Sequence, residues 1–329
     1  MHLNSPIFNS INDRLWASLN SVHSLILKVP VKNLIVIVGP TAVGKTALAV
    51  ALAQWLQTEI VSADSRQVYR EMAIGTAKPS LAEQGGIKHH FIDSHSIHEP
   101  LDAATFGTQA RQMLESCFAR LDSVIICGGS GLYLQALLQG FDALPEVPVA
   151  IRESITTKYQ QSGLSWLQKE VQQLDPAFFG SVDQQNPQRL MRALELLQVS
   201  GQPLAQLRKG DKQLLPYRQI SIGLDLPRPE LYQRINQRAV EMMERGLWQE
   251  AESLLPFGDA TPLQTVGYQE IFDVLTQGGD RAGALELIQT NTRRYAKRQL
   301  TWFKRDATTR WFSPHDRTAI FEWVQSQLR

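Results

Sequence analysis

Eight consecutive residues, Gly39, Pro40, Thr41, Ala42, Val43, Gly44, Lys45 and Thr46, match the G-x-x-x-x-G-K-[ST] spacing of a phosphate-binding loop. The chemistry explains the spacing. Glycines let backbone N–H groups close round phosphate oxygens, and the helix that follows adds partial positive charge at its N-terminus. Lys45 reaches toward the outer phosphate, and the Thr46 hydroxyl is placed for a metal ion, Mg²⁺. Asp64 stands in the next polar stretch, with Ser65, Arg66 and Gln67. An aspartate beside a phosphate loop can bind magnesium or act as a general base. A helix cap or turn is its plainer role. Ser130, set among Gly128, Gly129 and Gly131, offers a hydroxyl to a phosphate or a leaving-group oxygen. Taken alone, glycine and serine before a helix are ordinary turn chemistry.

Two further clusters carry chemical side chains. His89, His90, His95 and His98 invite a metal reading, but their spacing fits no familiar zinc motif and no cysteine partner accompanies them. Residues 292–305 hold six basic residues and no acid, with Tyr295 and Trp302 interleaved. On a helix Arg293, Arg294, Lys297 and Arg298 share one face, a pattern suited to RNA phosphates and bases and equally to a solvated surface. Arg189 and Arg192 repeat the pattern on a smaller scale.

Residues 34–38 are apolar and mostly β-branched, as in a strand buried on both faces, and the residues after Lys45 are helix formers. A short strand leading into a polar stretch recurs at residues 59–69, and strand, glycine turn and helix recur from residue 123. Another strand is expected at residues 89–93, and a helix capped by Asp102 or Thr105 runs to about Leu121. The repetition predicts an α/β fold with a parallel, doubly wound sheet of the P-loop NTPase kind. From residue 144 to 218 only helical periodicity is present, broken at Gly163, Pro176, Pro187 and Gly201, so this stretch is expected to be an all-helical insertion. Residues 31–143 and 219–329 make the core, with a strand at residues 219–225 and a long helix from Arg281 to about Phe303. Residues 1–30 carry few charges, make a poor signal peptide and are expected to be a disordered extension.

Composition excludes several classes. The 329 residues have a net charge of +1, so any nucleic-acid surface must be local. The two cysteines, Cys117 and Cys127, make no disulfide framework or zinc finger, which points to a reducing compartment. No apolar run has the length of a membrane span.

Taken together, GPTAVGKT, SADSRQVYREMAIGTAKP, GGSGLYLQALLQG, NPQRLMRALE, TVGYQE and TRRYAKRQLTWFKR resemble the bacterial tRNA dimethylallyltransferases (tRNA isopentenyltransferases) over about residues 34–305. The resemblance implies transfer of a dimethylallyl group from dimethylallyl diphosphate to N6 of the adenosine just 3′ of the anticodon. It implies that residues 39–46 hold the diphosphate with Mg²⁺, that Asp64 is the general base, and that Lys45 and Ser130 assist. It implies tRNA contacts at Asp64, Ser65, Arg66 and Gln67; at Gln188, Arg189, Leu190, Met191 and Arg192; at Gln264, Thr265, Val266, Gly267, Tyr268 and Gln269; along the 292–299 helix; and at Ser130 and Arg152. A cytoplasmic monomer is the family expectation. Many members have threonine where this chain has Ser130, which keeps the hydroxyl, and a tyrosine that the family usually carries is Leu101 here.

Three other functions share parts of this pattern. A prenyltransferase acting on free AMP, ADP or ATP would not need the helical insertion or the basic 292–305 stretch. A small-metabolite kinase gives that stretch no purpose. A non-catalytic RNA-binding module leaves the complete phosphate loop and Asp64 unexplained.

Overall fold

Successive side chains on a strand point to opposite faces, and residues 34–38 consequently feed two cores. Leu34, Val36 and Val38 pack with Phe106, Leu137 and Tyr133 on one side. Ile35 and Ile37 pack with Leu48, Leu52, Ile235 and Ile320 on the other. Each such buried side chain is worth about 2 kcal/mol, so this strand cannot sit at an edge. The computed structural model, which describes residues 31–208 and 210–328, places it inside a six-stranded sheet. The strands are β1 (Asn33–Val38), β2 (Ile60–Ser62), β3 (His89–His90), β4 (Ser123–Cys127), β5 (Arg218–Leu224) and β6 (Arg310–Phe312), in the order β3-β2-β4-β1-β5-β6. Every pairing is parallel.

Parallel pairing brings the strand ends to one edge, where open α/β sheets bind ligands. Ile37 lies opposite Cys127, which lies opposite Ser62, so β1, β2 and β4 end level with one another. The loops they feed are tightly packed. A Cβ on Gly128 would lie 2.2 Å from the Ala63 carbonyl oxygen, and the Ser130 N–H donates to that same oxygen (3.2 Å). Gly39 adopts a φ of +145°, and a Cβ there would lie 2.6 Å from the Leu224 carbonyl oxygen.

The phosphate loop turns into α1 (Lys45–Leu56), and α2 (Ala103–Phe118) starts at Asp102, whose carboxylate accepts the Thr105 N–H. Helix α3 (Gly131–Gln139) follows β4. Between it and β5 lie α4 (Val149–Leu174), α5 (Pro176–Ser181), α6 (Pro187–Ser200) and α7 (Leu204–Leu207). They share a core of their own around Leu167, Val171, Leu190 and Leu194. Asp175 staples two of these helices, accepting the N–H of Phe178 on one carboxylate oxygen and that of Leu204 on the other. Helices α8 (Arg228–Glu244), α9 (Leu247–Leu254), α10 (Gln269–Gln277), α11 (Arg281–Phe303) and α12 (Arg317–Gln327) complete the chain. No helix among the described residues is long and apolar enough to cross a membrane. The expectation for residues 1–30 lies outside the described residues.

Two strand expectations change. The strand expected at residues 89–93 stops at His90, because Phe91 (φ 60°) and Asp93 (φ 53°) turn out of extended backbone. Strand β6, too short to show an alternation, pairs along the edge of β5 and escapes sequence reading.

The Gly128 contact yields a stability prediction. Gly128→Ala should lower the free energy of unfolding by about 2 kcal/mol in urea titrations. Gly180→Ala, in a helix with open space around the new methyl, should leave it unchanged or slightly raised.

Candidate active site

Lys45 is held from behind by the loop that it serves. Its ammonium donates to the carbonyls of Gly39 (3.0 Å) and Pro40 (2.8 Å). Burial pulls it down to about 8, against the opposing pull of Cys127 and Asp64. Val43 is wholly buried and can offer a ligand only its backbone. Gly44 takes a φ of +103°, which lets α1 begin pointing at the loop. Lys45, Thr46, Asp64, Cys127 and Arg238 line one cavity of about 490 Å³. Cys127 carries a thiol that burial pushes up to about 11, so it stays protonated at neutral pH.

Asp64 leaves the end of β2 in a tight turn, its Oδ1 accepting the N–H groups of Arg66 (2.9 Å) and Gln67 (3.4 Å). Asp64 lines both the phosphate-loop cavity and a second cavity of about 220 Å³. That second space is lined by Ser65, Arg66, Thr265, Val266, Gly267 and Tyr295 among others, and it shares Thr41, Asp64 and Arg238 with the first. Asp64 and Arg238 therefore stand where the two cavities meet. Burial pushes the Tyr295 phenol up to about 12, with the Asp64 charge adding to the effect.

Arg238 is the functional residue that sequence reading missed. It lies on α8 within the buried stripe of Ile235, Ala239 and Met242, and its guanidinium donates to Thr41 Oγ1 (2.6 Å). Burial lowers its pKa, with the Asp64 charge opposing. An arginine at an inward position of an amphipathic helix was the available signal. The guanidinium is half-buried with the Asp64 and Glu241 charges nearby, and an anion in the adjoining cavity would add a further partner of opposite charge.

Other predicted residues are placed as follows. The Ser130 hydroxyl accepts the Ser65 N–H (2.9 Å) and donates to the Ser65 hydroxyl (3.0 Å), tying the two loops together. Gln67 is used in binding the carbonyls of Thr76 and Ala77. That neighbouring loop is anchored by Glu250, whose carboxylate accepts the N–H groups of Ala73, Ile74 and Gly75 and the Tyr268 hydroxyl. Tyr268 is thus a buried brace, and its side chain has no surface to offer RNA. Leu190 packs in the core of the helical segment, where burying it is favourable. Gln188 and Arg189 are exposed beside it. Arg152 and Arg192 converge on Glu195 (3.9 and 2.8 Å). Gln264 and Gln269 are exposed and bonded to each other. On α11, Arg294, Lys297 and Arg298 face solvent, whereas Arg293 turns to Asn236 (2.6 Å) and Thr290 (2.9 Å) and does not share their open face.

The histidines do not form one metal centre. His89 meets the Ile87 carbonyl, His95 meets Ser94 and His98 packs on Phe257. Glu59, His90 and Cys117 bring ligand atoms within 4.8 Å of one another. The Arg120 guanidinium already lies 2.5 Å from Glu59 and supplies the positive charge there. That contact, together with His90, holds the Glu59 carboxyl down at about 2 despite burial.

A wholly parallel sheet with a lysine-bearing loop after β1 and a carboxylate after β2 defines a P-loop NTPase-like protein with a phosphate site. A family profile described as IPP transferase matches residues 67–306, and the chain belongs to that family. It is 45% identical to the tRNA dimethylallyltransferase of Cytophaga hutchinsonii, over 91% of this chain and 98% of that protein. It is 44% identical to the tRNA dimethylallyltransferase of Flavobacterium johnsoniae, over 91% and 99%. Among solved structures it resembles a tRNA isopentenylpyrophosphate transferase from Bacillus halodurans at 34% identity and a TM-score of 0.67, covering 90% of this chain and 97% of that one. It also resembles a eukaryotic dimethylallyltransferase described as acting on tRNA, at 26% identity and a TM-score of 0.67, over 82% and 69%.

The Lys45 environment sets a pH dependence. The free protein loses the Lys45 proton above about pH 8, whereas a bound diphosphate would hold it on. Affinity for an alkyl diphosphate should therefore be level from pH 7 to 8 and then fall about tenfold per pH unit. Calorimetric titration at constant ionic strength reads this, and a flat profile to pH 9.5 would contradict it.

Proposed function

We propose that the chain transfers a dimethylallyl group from dimethylallyl diphosphate to N6 of the adenosine 3′-adjacent to the anticodon in tRNA. The observation that carries this reading is the position of Asp64 at the junction of two cavities. One holds Lys45 and Arg238 and suits a diphosphate. The other, with Val266, Gly267 and Tyr295 in its wall, suits a flipped-out base.

The bond from the allylic carbon to the diphosphate oxygen breaks, and its electron pair leaves with the diphosphate. The N6–carbon bond forms, and the N6 proton passes to Asp64. Lys45 and Arg238 stabilise the charge that builds on the leaving group, in a pocket that screens it less than water would. An adenine amine is held in the RNA stack, so the base must leave it, and unstacking is offset by contacts to the RNA backbone. Arg294, Lys297 and Arg298, exposed on α11, are suited to those contacts.

Hard oxygen donors fit Mg²⁺. Thr46 Oγ1 lies in the same cavity as Asp64, which uses only Oδ1 toward the described residues. The ion would be held by Thr46 and the two phosphates, and when bound it neutralises charge on the leaving diphosphate. We take residues 144–218 as a separate helical domain that closes over the anticodon loop, supported by its own core. The protein would act as a cytoplasmic monomer.

Incubation with Mg²⁺, labelled dimethylallyl diphosphate and either undermodified tRNA or AMP tests the reading, with ATP in a parallel tube. Label is expected in tRNA. Label in AMP alone, or ATP turnover alone, would overturn it. In Asp64→Asn, transfer should fall by about 10²–10⁴-fold with tRNA affinity nearly unchanged. A large loss of tRNA binding would make Asp64 an RNA-positioning residue instead. Arg298→Glu should weaken tRNA binding and make its salt dependence shallower by about one unit of log–log slope, as filter binding from 50 to 200 mM salt would show.

A further inference from the structure

Helix α11 carries, between its exposed cations and its buried face, one side chain that touches both phosphate-site loops. Gln299 is buried, at 6% exposure. Its Oε1 accepts the N–H of Thr41 in the phosphate loop (2.8 Å), and its Nε2 donates to the carbonyl of Gly129 in the Ser130 loop (2.8 Å). It thus spans the loops that follow β1 and β4. Glycine at position 129 is explained by this bridge, since a Cβ there would lie 2.3 Å from Gln299 Nε2 and 3.7 Å from Lys45 Nζ. One turn on, Trp302 covers Gly131 at the start of α3, where a Cβ would lie 2.4 Å from the indole nitrogen. The helix is seated on both loops through these two side chains. Gln299 lines neither cavity, so it stands behind the site and not in it.

We propose that Gln299 is a positioning residue for the donor site, fixing the separation and tilt of the phosphate loop and the Ser130 loop from within the helix that presents Arg294, Lys297 and Arg298. This deepens the transferase reading and rests on it for the identity of the donor. The physical basis is the geometry of an amide. Gln299 satisfies one partly buried N–H and one buried carbonyl in the loops after β1 and β4. A side chain lacking either function strands one of them. Thr41 then loses a constraint on its backbone while its hydroxyl stays on Arg238 (2.6 Å), so the loop can rotate about that remaining contact. Asparagine is one methylene too short to span both partners. Lysine or arginine in this place would put a second cation against Lys45.

The bridge predicts where the damage falls. Gln299→Met, close in size and able to keep the helix seated, should raise the Kd for inorganic diphosphate at pH 7.5 about tenfold. It should raise KM for dimethylallyl diphosphate by a similar factor, while kcat falls less and the Kd for tRNA stays within twofold. Gly129→Ala displaces the same amide from the other side and should give the same split. Because both changes break one bridge, the double variant should be no worse than the poorer single one. Thermal unfolding midpoints and far-ultraviolet spectra identify a variant that has lost its fold. Gln299→Glu, which keeps the acceptor for the Thr41 N–H, then serves as the second measurement and should also lose diphosphate affinity through its missing donor and its charge beside Lys45.

Unchanged diphosphate affinity in folded Gln299→Met would overturn the proposal. A loss confined to tRNA binding would also overturn it and make Gln299 an RNA contact. Fully additive effects of the two substitutions would show that they do not share a bridge. Diphosphate binding does not depend on the acceptor. A wild-type protein that bound diphosphate yet modified no tRNA would defeat the functional reading while leaving the Gln299 result intact.

Discussion

The partly desolvated ammonium of Lys45, held against its own loop, is the constraint on which the site is built. Removing Lys45 from water costs enough to bring its pKa from an ordinary lysine value to about 8. Two loop carbonyls offset part of that cost, and the nearby Asp64 carboxylate offsets a little more. An anion in the cavity that Lys45 and Arg238 both line would be strongly favourable there. The packing of the sheet ends fixes where these charges stand.

That packing is mostly a matter of backbone meeting backbone. Gly128 rides against the Ala63 carbonyl and Gly39 against the Leu224 carbonyl, so the loops at the ends of β1, β2 and β4 are set by contacts that admit no side chain. Ser130 and Ser65 then join the loops after β4 and β2 by hydroxyl and amide, and Gln299 joins the loop after β4 to the phosphate loop from α11. Glu250, with three backbone N–H groups and the Tyr268 hydroxyl, fixes the loop on the far side of the second cavity. A pocket assembled this way fixes Asp64 with little freedom.

The exposed cations of α11 follow a different rule. Arg294, Lys297 and Arg298 are exposed and hold no fixed partner of opposite charge among the ion pairs of the described residues. Long cationic side chains left in water suit a polyanion that supplies charge on contact. Arg293, one position away, is instead spent on Asn236. A basic stretch read along the chain therefore divides into cations left open to solvent and others that brace the fold, Arg293 on Asn236 and Lys304 on Asp225. The helical segment repeats the division, with Arg189 exposed and Leu190 buried beside it.

The sequence by itself determined the phosphate loop, the carboxylate after the second strand, the parallel sheet and the long basic helix. Each of these rests on local chemistry: glycine conformation, side-chain period and the spacing of a motif. The breaks at Gly163 and Pro187 were legible for the same reason, since the backbone preference of a single residue suffices to end or kink a helix. Only the tertiary structure decided which polar residues hold the site and which hold the fold. Arg238 and Gln299 come to Thr41 from positions 197 and 258 residues away, and no local pattern encodes such a meeting. It arises because parallel strands gather their ends at one edge, while the helices that cover that edge come from the far end of the chain.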